Sequence, residues 1–221
     1  MRIACVGYRA WALNIYDYLA NTTDDVFLIF RTKEQYQEVA LIDFQPDLVL
    51  FYGWSWGVPS RIVNKYKCLM LHPSPLPKYR GGSPIQNQII AGEKNSKVTI
   101  FIMNNEIDSG DIIAQADISL LGTLTDILTD IENVGTRLTL NILTEGLHPV
   151  PQDHSKATYF KRRAPEESEI TIEEIKERIY NLETNHLELI TRLDMIGRVA
   201  KIIAAMVAAT LGFDLGMEEM I

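Results

Sequence analysis

Residues 2–7 read Arg2-Ile3-Ala4-Cys5-Val6-Gly7, a short apolar run that ends in glycine and predicts a first β-strand. Apolar residues then recur at helical spacing from Ala10 to Leu19. Two further strands are predicted at Val26 to Phe30 and Leu48 to Tyr52, with a helix between them over 35–44. This alternation predicts an α/β fold with a Rossmann-like, doubly wound, mostly parallel sheet.

Further along, the pattern predicts strands over 68–71, 98–103 and 112–120 and helices over 84–91 and 126–143. A proline-rich and then charged segment follows, so we expect a domain boundary near residue 150. The predicted organisation is a catalytic domain over 1–150, a linker over 151–170 and a helical C-terminal extension over 171–221.

The composition excludes several classes of protein. With 221 residues, 47% of them hydrophobic, the chain can close a sizeable core. It opens without a basic, cleavable leader, and its longest apolar run, Ile202 to Leu211, is too short to span a bilayer, so a cytoplasmic protein with no membrane partner is expected. The net charge of −8 weakens the case for a surface that binds nucleic-acid phosphates, although Lys161-Arg162-Arg163 could form a local basic patch, and tRNA is not the expected partner. Cys5 and Cys68 read as buried thiols, and no cluster resembles a metal site.

The most distinctive segment follows the fourth predicted strand and reads Leu71-His72-Pro73-Ser74-Pro75-Leu76-Pro77-Lys78-Tyr79-Arg80-Gly81-Gly82-Ser83-Pro84. Its prolines hold an extended loop, and its glycines permit a sharp return. A second segment reads Ile107-Asp108-Ser109-Gly110-Asp111-Ile112-Ile113. The first strand ends in Val6-Gly7-Tyr8-Arg9-Ala10, without the glycine triplet of a dinucleotide site, and no P-loop motif is present.

Together the two segments resemble the folate-dependent formyltransferase family, whose signature pairs a His-Pro-Ser-x-Leu-Pro-x-x-Arg-Gly loop with a later Asp-x-Gly-x-Ile segment. The segment over 159–166 also resembles the linker of methionyl-tRNA and sugar-amine formyltransferases. The resemblance implies the formyltransferase fold and 10-formyltetrahydrofolate as formyl donor. It also implies catalytic roles for His72 and Asp108.

The chemistry of formyl transfer needs such a pair. An amine that attacks a formyl carbon forms a tetrahedral oxyanion and loses a proton, while the leaving folate nitrogen gains one. A carboxylate beside a histidine favours and orients the imidazolium. We therefore expect His72 to stabilise the oxyanion and move protons, and Asp108 to hold His72 and help deprotonate the amine.

One position departs from the family pattern. The asparagine that usually lies two residues before the histidine is Met70 here, which offers no hydrogen-bond donor. The enzyme is therefore slow, or it has lost activity, or another residue supplies the missing hydrogen-bond donor. We favour the last of these. Gln86, Asn87 and Asn104 are the candidate amides.

Other residues are assigned to binding. The aromatic loop after the third strand predicts a wall of the folate pocket, with core packing as the alternative. The expected cofactor-binding residues are Tyr52, Trp54, Trp56, Ser74 and Gly110. Arg80 is expected either to hold its loop or to contact a substrate phosphate, and Arg9 is a second candidate for substrate binding.

The acceptor is expected to be a small-molecule amine, and by elimination a nucleotide-linked amino sugar. Methionyl-tRNA ranks second, because enzymes that act on it carry a C-terminal β-barrel domain that is not evident here. Glycinamide ribonucleotide ranks third, since its enzymes open with a serine- and glycine-rich phosphate loop. A formyltetrahydrofolate hydrolase and a non-catalytic folate-binding protein remain as alternatives from other classes.

The last part of the sequence predicts a long helix. Its apolar stripe runs through Leu187, Ile190, Leu193, Ile196, Ala200, Ile203 and Val207. Packing of this stripe on the main domain and a homodimer interface are weighed equally.

Overall fold

The computed structural model describes residues 1–164, residue 167 and the backbone of 172–211, with the side chains of residues 180 and 183–203 in this last range. A first compact unit covers Met1–Arg163, and a second begins at Ala164. The predicted linker is thus, as far as Arg163, part of the first unit. The predicted boundary at 170 and 171 and the residues beyond 211 lie outside the described residues.

The first unit alternates strands and helices. Its strands are β1 Arg2–Val6, β2 Val26–Phe30, β3 Leu48–Tyr52, β4 Cys68–His72, β5 Arg80–Gly81, β6 Asn95–Ile102, β7 Ile112–Ser119 and β8 Tyr159–Phe160. Its α-helices are α1 Ala10–Thr22, α2 Glu38–Phe44, α3 Ser60–Val63, α4 Pro84–Ile90 and α5 Leu124–Glu145. The second unit contains α6, Ile172–Leu211. In the part of the chain that the structure describes, no helix is long and apolar enough to cross a membrane.

Six strands form one sheet in the order β2-β1-β3-β4-β6-β7. The first four are parallel, and β6 and β7 are antiparallel to their neighbours. The prediction of a mostly parallel sheet is confirmed. The change to antiparallel pairing at β6 follows from the path of the chain. After His72 the chain stays near the carboxyl end of β4 through a loop and α4. Strand β6 therefore starts at that end and runs antiparallel to β4, with His72 paired to Thr99.

Helices cover both faces of the sheet, which explains why its central strands are apolar throughout. On one face, α1 and α5 pack on the even-numbered residues of β3 and the odd-numbered residues of β4, including Leu50, Leu69 and Leu71. On the other face, α2 and α3 cover Val49, Phe51 and Cys68, and Met70 packs against this second cluster. His72 follows Met70 by two residues, so it belongs to the same face of β4.

Candidate active site

His72 is the last residue of β4 and only 5% exposed. Its Nε2 lies 2.8 Å from the carbonyl oxygen of Tyr79, and its Nδ1 lies 3.6 Å from Oδ2 of Asp108. Both ring nitrogens thus face oxygen acceptors. The contact of Nε2 is within hydrogen-bond range, whereas that of Nδ1 is longer than a hydrogen bond.

Asp108 approaches His72 from the loop between β6 and β7. Its backbone has a φ of +50°, a left-handed conformation that aspartate and asparagine tolerate better than most residues. Its Oδ2 accepts a 2.7 Å hydrogen bond from the backbone N–H of Gly81. That bond ties the two segments singled out in the sequence to each other and brings the carboxylate to the imidazole.

Ser74, expected to bind the cofactor, lies inside the loop instead. It has no exposed surface, its hydroxyl donates to the carbonyl of Lys78, and its own carbonyl accepts from the hydroxyl of Thr99. These bonds hold the proline-rich loop against β6. Ser74 therefore stabilises the loop that follows His72.

Arg80 is also fully buried. Its guanidinium donates to Oε1 of Gln152 at 2.6 Å and to the hydroxyl of Tyr159 at 2.6 Å, and it lies 3.4 Å from Nδ1 of His154. Because the chain's own groups surround this cation, the structure favours the role of holding the loop over a contact with a substrate phosphate.

A strap formed by residues 159–163 lies across the loop, a feature that the sequence did not reveal. The short strand β8 pairs with β5, and the N–H of Gly82 donates to the carbonyl of Phe160. A Cβ on Gly82 would lie 2.3 Å from Cα of Arg162, so only glycine fits this crossing. Arg162 then reaches the carbonyl of Ser55 at 3.4 Å.

The aromatic loop after β3 divides into a core part and a surface part. Tyr52 is fully buried, stacks on Tyr16 and bonds to the hydroxyl of Thr139 at 3.1 Å, which favours core packing over the expected role in the folate pocket. Trp56 is 37% exposed, with its ring 4.7 Å from that of Trp54. The two tryptophans can therefore still form a pocket wall.

Trp54 has a second notable feature. Its indole Nε1 is buried and has no hydrogen-bond partner among the described residues. A buried donor without a partner costs free energy, about 1–3 kcal/mol, unless a ligand or water supplies an acceptor. This nitrogen is the clearest sign of a polar ligand group near the aromatic loop.

Gly110, also expected to bind the cofactor, packs against backbone. A Cβ at this position would lie 1.8 Å from the carbonyl oxygen of Ile102. The carbonyls of Gly110 and Asp108 both accept from the side-chain amide of Gln152, at 2.7 and 3.0 Å. Gly110 thus allows the close packing that fixes the Asp108 loop.

The three candidate amides differ in their surroundings. Asn87 donates its amide to the carbonyl of Gly82, and Gln86 is exposed on the short helix α4. Asn104 lies in the same loop as Asp108, where its Oδ1 accepts from the hydroxyl of Ser109 and from the N–H of Glu106. Since these bonds use only its oxygen, Asn104 keeps an exposed amide donor in the loop that carries Asp108.

Basic side chains surround the aromatic loop. Arg9 is exposed just after β1, with its guanidinium 4.8 Å from the ring centre of Tyr8. The ammonium of Lys33, after β2, lies 5.1 Å from the ring centre of Trp56. The rings of Tyr8 and Trp56 are themselves 4.9 Å apart. We call Arg9, Lys33 and Arg162 the basic rim.

No group of metal-ligating side chains occurs among the residues whose placement is described. Both cysteines are buried and free, and burial raises the pKa of the Cys68 thiol to about 12. A protonated, inaccessible thiol is a poor nucleophile. Neither cysteine is therefore a candidate for the reacting group, and His72 and Asp108 remain the candidates.

Comparison with known proteins identifies the family to which the chain belongs. The family model described as formyl transferase matches residues 26–146, which include the His72 loop and the Asp108 loop, and the chain belongs to this family. The solved methionyl-tRNA formyltransferase from Clostridium thermocellum is 31% identical, with a TM-score of 0.74, over 81% of this chain and 80% of that one.

Two further relatives place the chain within the family. The methionyl-tRNA formyltransferase of Halalkalibacterium halodurans is 34% identical over 159 residues, which are 68% of this chain and 50% of that protein. The chain thus spans about half the length of the curated relatives that it matches. PseJ from Anoxybacillus kamchatkensis, solved with UDP-4,6-dideoxy-4-formamido-L-AltNAc and tetrahydrofolate, shares the fold at 23% identity and a TM-score of 0.58, over 73% of this chain and 86% of that one.

Proposed function

We propose that this protein transfers a formyl group from 10-formyltetrahydrofolate to a primary amine. The observation that carries the proposal is the nearly buried contact of His72 with Asp108, in a chain of the formyl transferase family. Water is largely excluded around both side chains, so their charges act strongly on a reacting group.

The pair has a role at each step. The amine nitrogen attacks the formyl carbon, and the imidazolium of His72 stabilises the negative oxygen that forms. Asp108 accepts the proton that the amine loses, directly or through a water. His72 gives the proton on Nδ1 to the folate nitrogen as its bond to carbon breaks. Transfer of a proton from Asp108 to His72 then restores both groups, so the net movement is from the amine to the folate.

Trp54 and Trp56 are assigned to the formyl donor. Trp56 offers an exposed aromatic face, and the buried Nε1 of Trp54 offers a donor for a ligand carbonyl. Both follow β3, which pairs with β4 beside His72. Ser74 and Gly110 serve this site indirectly, by holding the two loops that carry the catalytic pair.

The positive charges of the basic rim favour an acceptor that carries phosphate groups. A nucleotide-linked amino sugar remains our first candidate for the acceptor. Its diphosphate would bind Arg9 and Lys33, at the ends of neighbouring strands, and its base could stack near Tyr8. PseJ shows that this fold accommodates such a sugar in another protein.

Methionyl-tRNA is the second candidate for the acceptor, because the relatives at 31% and 34% identity are methionyl-tRNA formyltransferases. The acidic charge of the chain does not count against it. Residues 1–164 contain 16 Lys and Arg against 17 Asp and Glu, so most of the net charge of −8 lies in residues 165–221. The catalytic unit is close to neutral, and its basic rim could meet the phosphates of an acceptor end.

An acceptor panel tests the proposal and separates the candidates. The purified chain is incubated with 10-formyltetrahydrofolate and either methionyl-tRNA, UDP- or dTDP-linked amino sugars, or glycinamide ribonucleotide, and the products are identified by mass spectrometry. We expect one acceptor class to gain a formyl group in place of an amine hydrogen. Arg9→Ala should raise the KM for that acceptor and leave the folate Kd unchanged. A panel without any formylated product would contradict the proposal.

A further inference from the structure

Helix α6 carries large apolar side chains on its surface. Leu189, Leu193, Ile196 and Ile203 are each more than half exposed. A helix of 40 residues is about 60 Å long, and helices in water are stabilised mainly by packing of an apolar face. This face therefore needs a partner.

The spacing of the apolar residues identifies the kind of partner. The apolar residues at 189, 193, 196, 200 and 203 alternate steps of three and four residues with His186, and the sequence continues the same spacing at 172, 175, 179, 182 and 207. We call these eleven positions the seam. Leu187 and Ile190, which the sequence analysis placed in the apolar stripe, fall outside this spacing. A period of 3.5 residues, kept over five heptads, is the pattern of a left-handed coiled coil, in which a helix supercoils around another helix.

From this seam we infer that α6 forms a parallel, in-register, two-stranded coiled coil with the α6 of a second copy of this chain. Heptad a positions include His186, Leu193 and Ala200, and d positions include Leu189 and Ile203. In the parallel arrangement each a residue faces its own counterpart, so the polar His186 meets a second imidazole and the small Ala200 meets a second alanine. An antiparallel pair would place His186 against an apolar d residue.

The charges of the helix agree with this register. Glu188 pairs with Arg192 at 2.6 Å, and Asp194 pairs with Arg198 at 3.0 Å, both along one helix. All four residues lie at b, c, f or g positions. Among the described side chains the seam holds no Asp, Glu, Lys or Arg, so like charges do not oppose association through it.

The area of the seam is sufficient for a stable dimer. Burial of one Leu or Ile side chain removes roughly 100 Å² from water. The four described side chains of each helix, eight in the pair, thus bury about 800 Å². The other seam positions raise the total above the roughly 1,200 Å² of a specific interface.

The first test measures the mass of the full chain in solution at micromolar concentration. We expect twice the chain mass of 25.1 kDa for the wild type. Leu189→Asp should give monomers, whereas Leu187→Asp, the same change at an exposed b position, should stay dimeric. Near-ultraviolet circular dichroism of both variants checks that the first unit remains folded. A monomeric or tetrameric wild type, or equal dissociation of the two variants, overturns the inference.

The second test determines the orientation. Since Cys5 and Cys68 are buried, a new surface cysteine is the one that a short bismaleimide reaches. Ile203→Cys, at a d position, should cross-link to its counterpart in good yield, whereas Lys201→Cys, at a b position, should not. In an antiparallel pair the two residues at position 203 lie near opposite ends, so a dimer without this cross-link contradicts the parallel arrangement. Neither test depends on formyl transfer.

Discussion

Nδ1 of His72 lies 3.6 Å from Oδ2 of Asp108, although His72 ends strand β4 and Asp108 lies in the loop between β6 and β7. Three hydrogen bonds fix the surroundings of this contact: the imidazole to the carbonyl of Tyr79, the N–H of Gly81 to the carboxylate, and the amide of Gln152 to the carbonyl of Asp108. The chain's own groups thus hold both side chains in position. Such preorganisation is what electrostatic catalysis requires.

Replacement of His72 should remove catalysis without removing folate binding. His72→Ala deletes the group assigned to the oxyanion and to proton transfer, so we expect kcat to fall by about 10²–10⁴-fold with little change in the folate Kd. His148→Ala, a change of an exposed histidine, is the control. Equal turnover in the His72 variant would exclude that residue from the mechanism.

Two substitutions of Asp108 should separate its charge from its structural bond. Asp108→Asn keeps an oxygen for the N–H of Gly81 and tolerates the positive φ, so it should fold like the wild type and transfer poorly. Asp108→Ala also leaves that N–H without its partner and should lower the free energy of unfolding by about 1–3 kcal/mol. Chemical denaturation beside kcat measurement checks both. Wild-type turnover in Asp108→Asn would show that the negative charge is not needed.

Asn104 is predicted to supply the donor that Met70 lacks. Asn104→Asp keeps the oxygen that accepts from Ser109 and Glu106 but loses the amide donor, so kcat should fall by about 10²–10³-fold while the fold is retained. Asn105→Asp, at the exposed neighbouring position, is the matched control. If both variants turn over alike, the oxyanion donor lies elsewhere.

Arg80 should matter for stability more than for substrate affinity. Arg80→Lys cannot reproduce the donors to Gln152 and Tyr159, and we expect a loss of about 1.5–3 kcal/mol in the free energy of unfolding. Arg61→Lys, in an exposed pair with Glu38, should cost less than about 1 kcal/mol. A selective rise in the acceptor KM of a fully stable Arg80→Lys variant would restore the substrate role.

The cysteines should resist modification. Burial raises the pKa of Cys68 to about 12 and that of Cys5 well above its usual range. At pH 8 both thiols are therefore protonated as well as inaccessible, and a thiol reagent should label neither in the native chain and both in denaturant. Rapid native labelling would show that the sheet opens locally at β1 or β4.

Local pattern predicted much of the fold because the apolar strands and the proline-rich loop are encoded in contiguous residues. The reversal at β6 depends instead on where the chain re-enters the sheet, which the run over 98–103 does not encode. The roles of Tyr52 and Arg80 depend on Thr139, Gln152 and Tyr159, which are distant in sequence. The two motifs predicted that His72 and Asp108 lie together, and the structure brings them within 3.6 Å, but only tertiary contacts distinguish a binding residue from a buried support.

The most direct measurement of the central claim is the rate of tetrahydrofolate release from 10-formyltetrahydrofolate with and without an amine acceptor. We predict release that requires the acceptor and matches the formylated product one to one. Equal release without an amine, with formate as the product, would identify a hydrolase. Tight folate binding without release under either condition would identify a binding protein, and both results would contradict formyl transfer by His72 and Asp108.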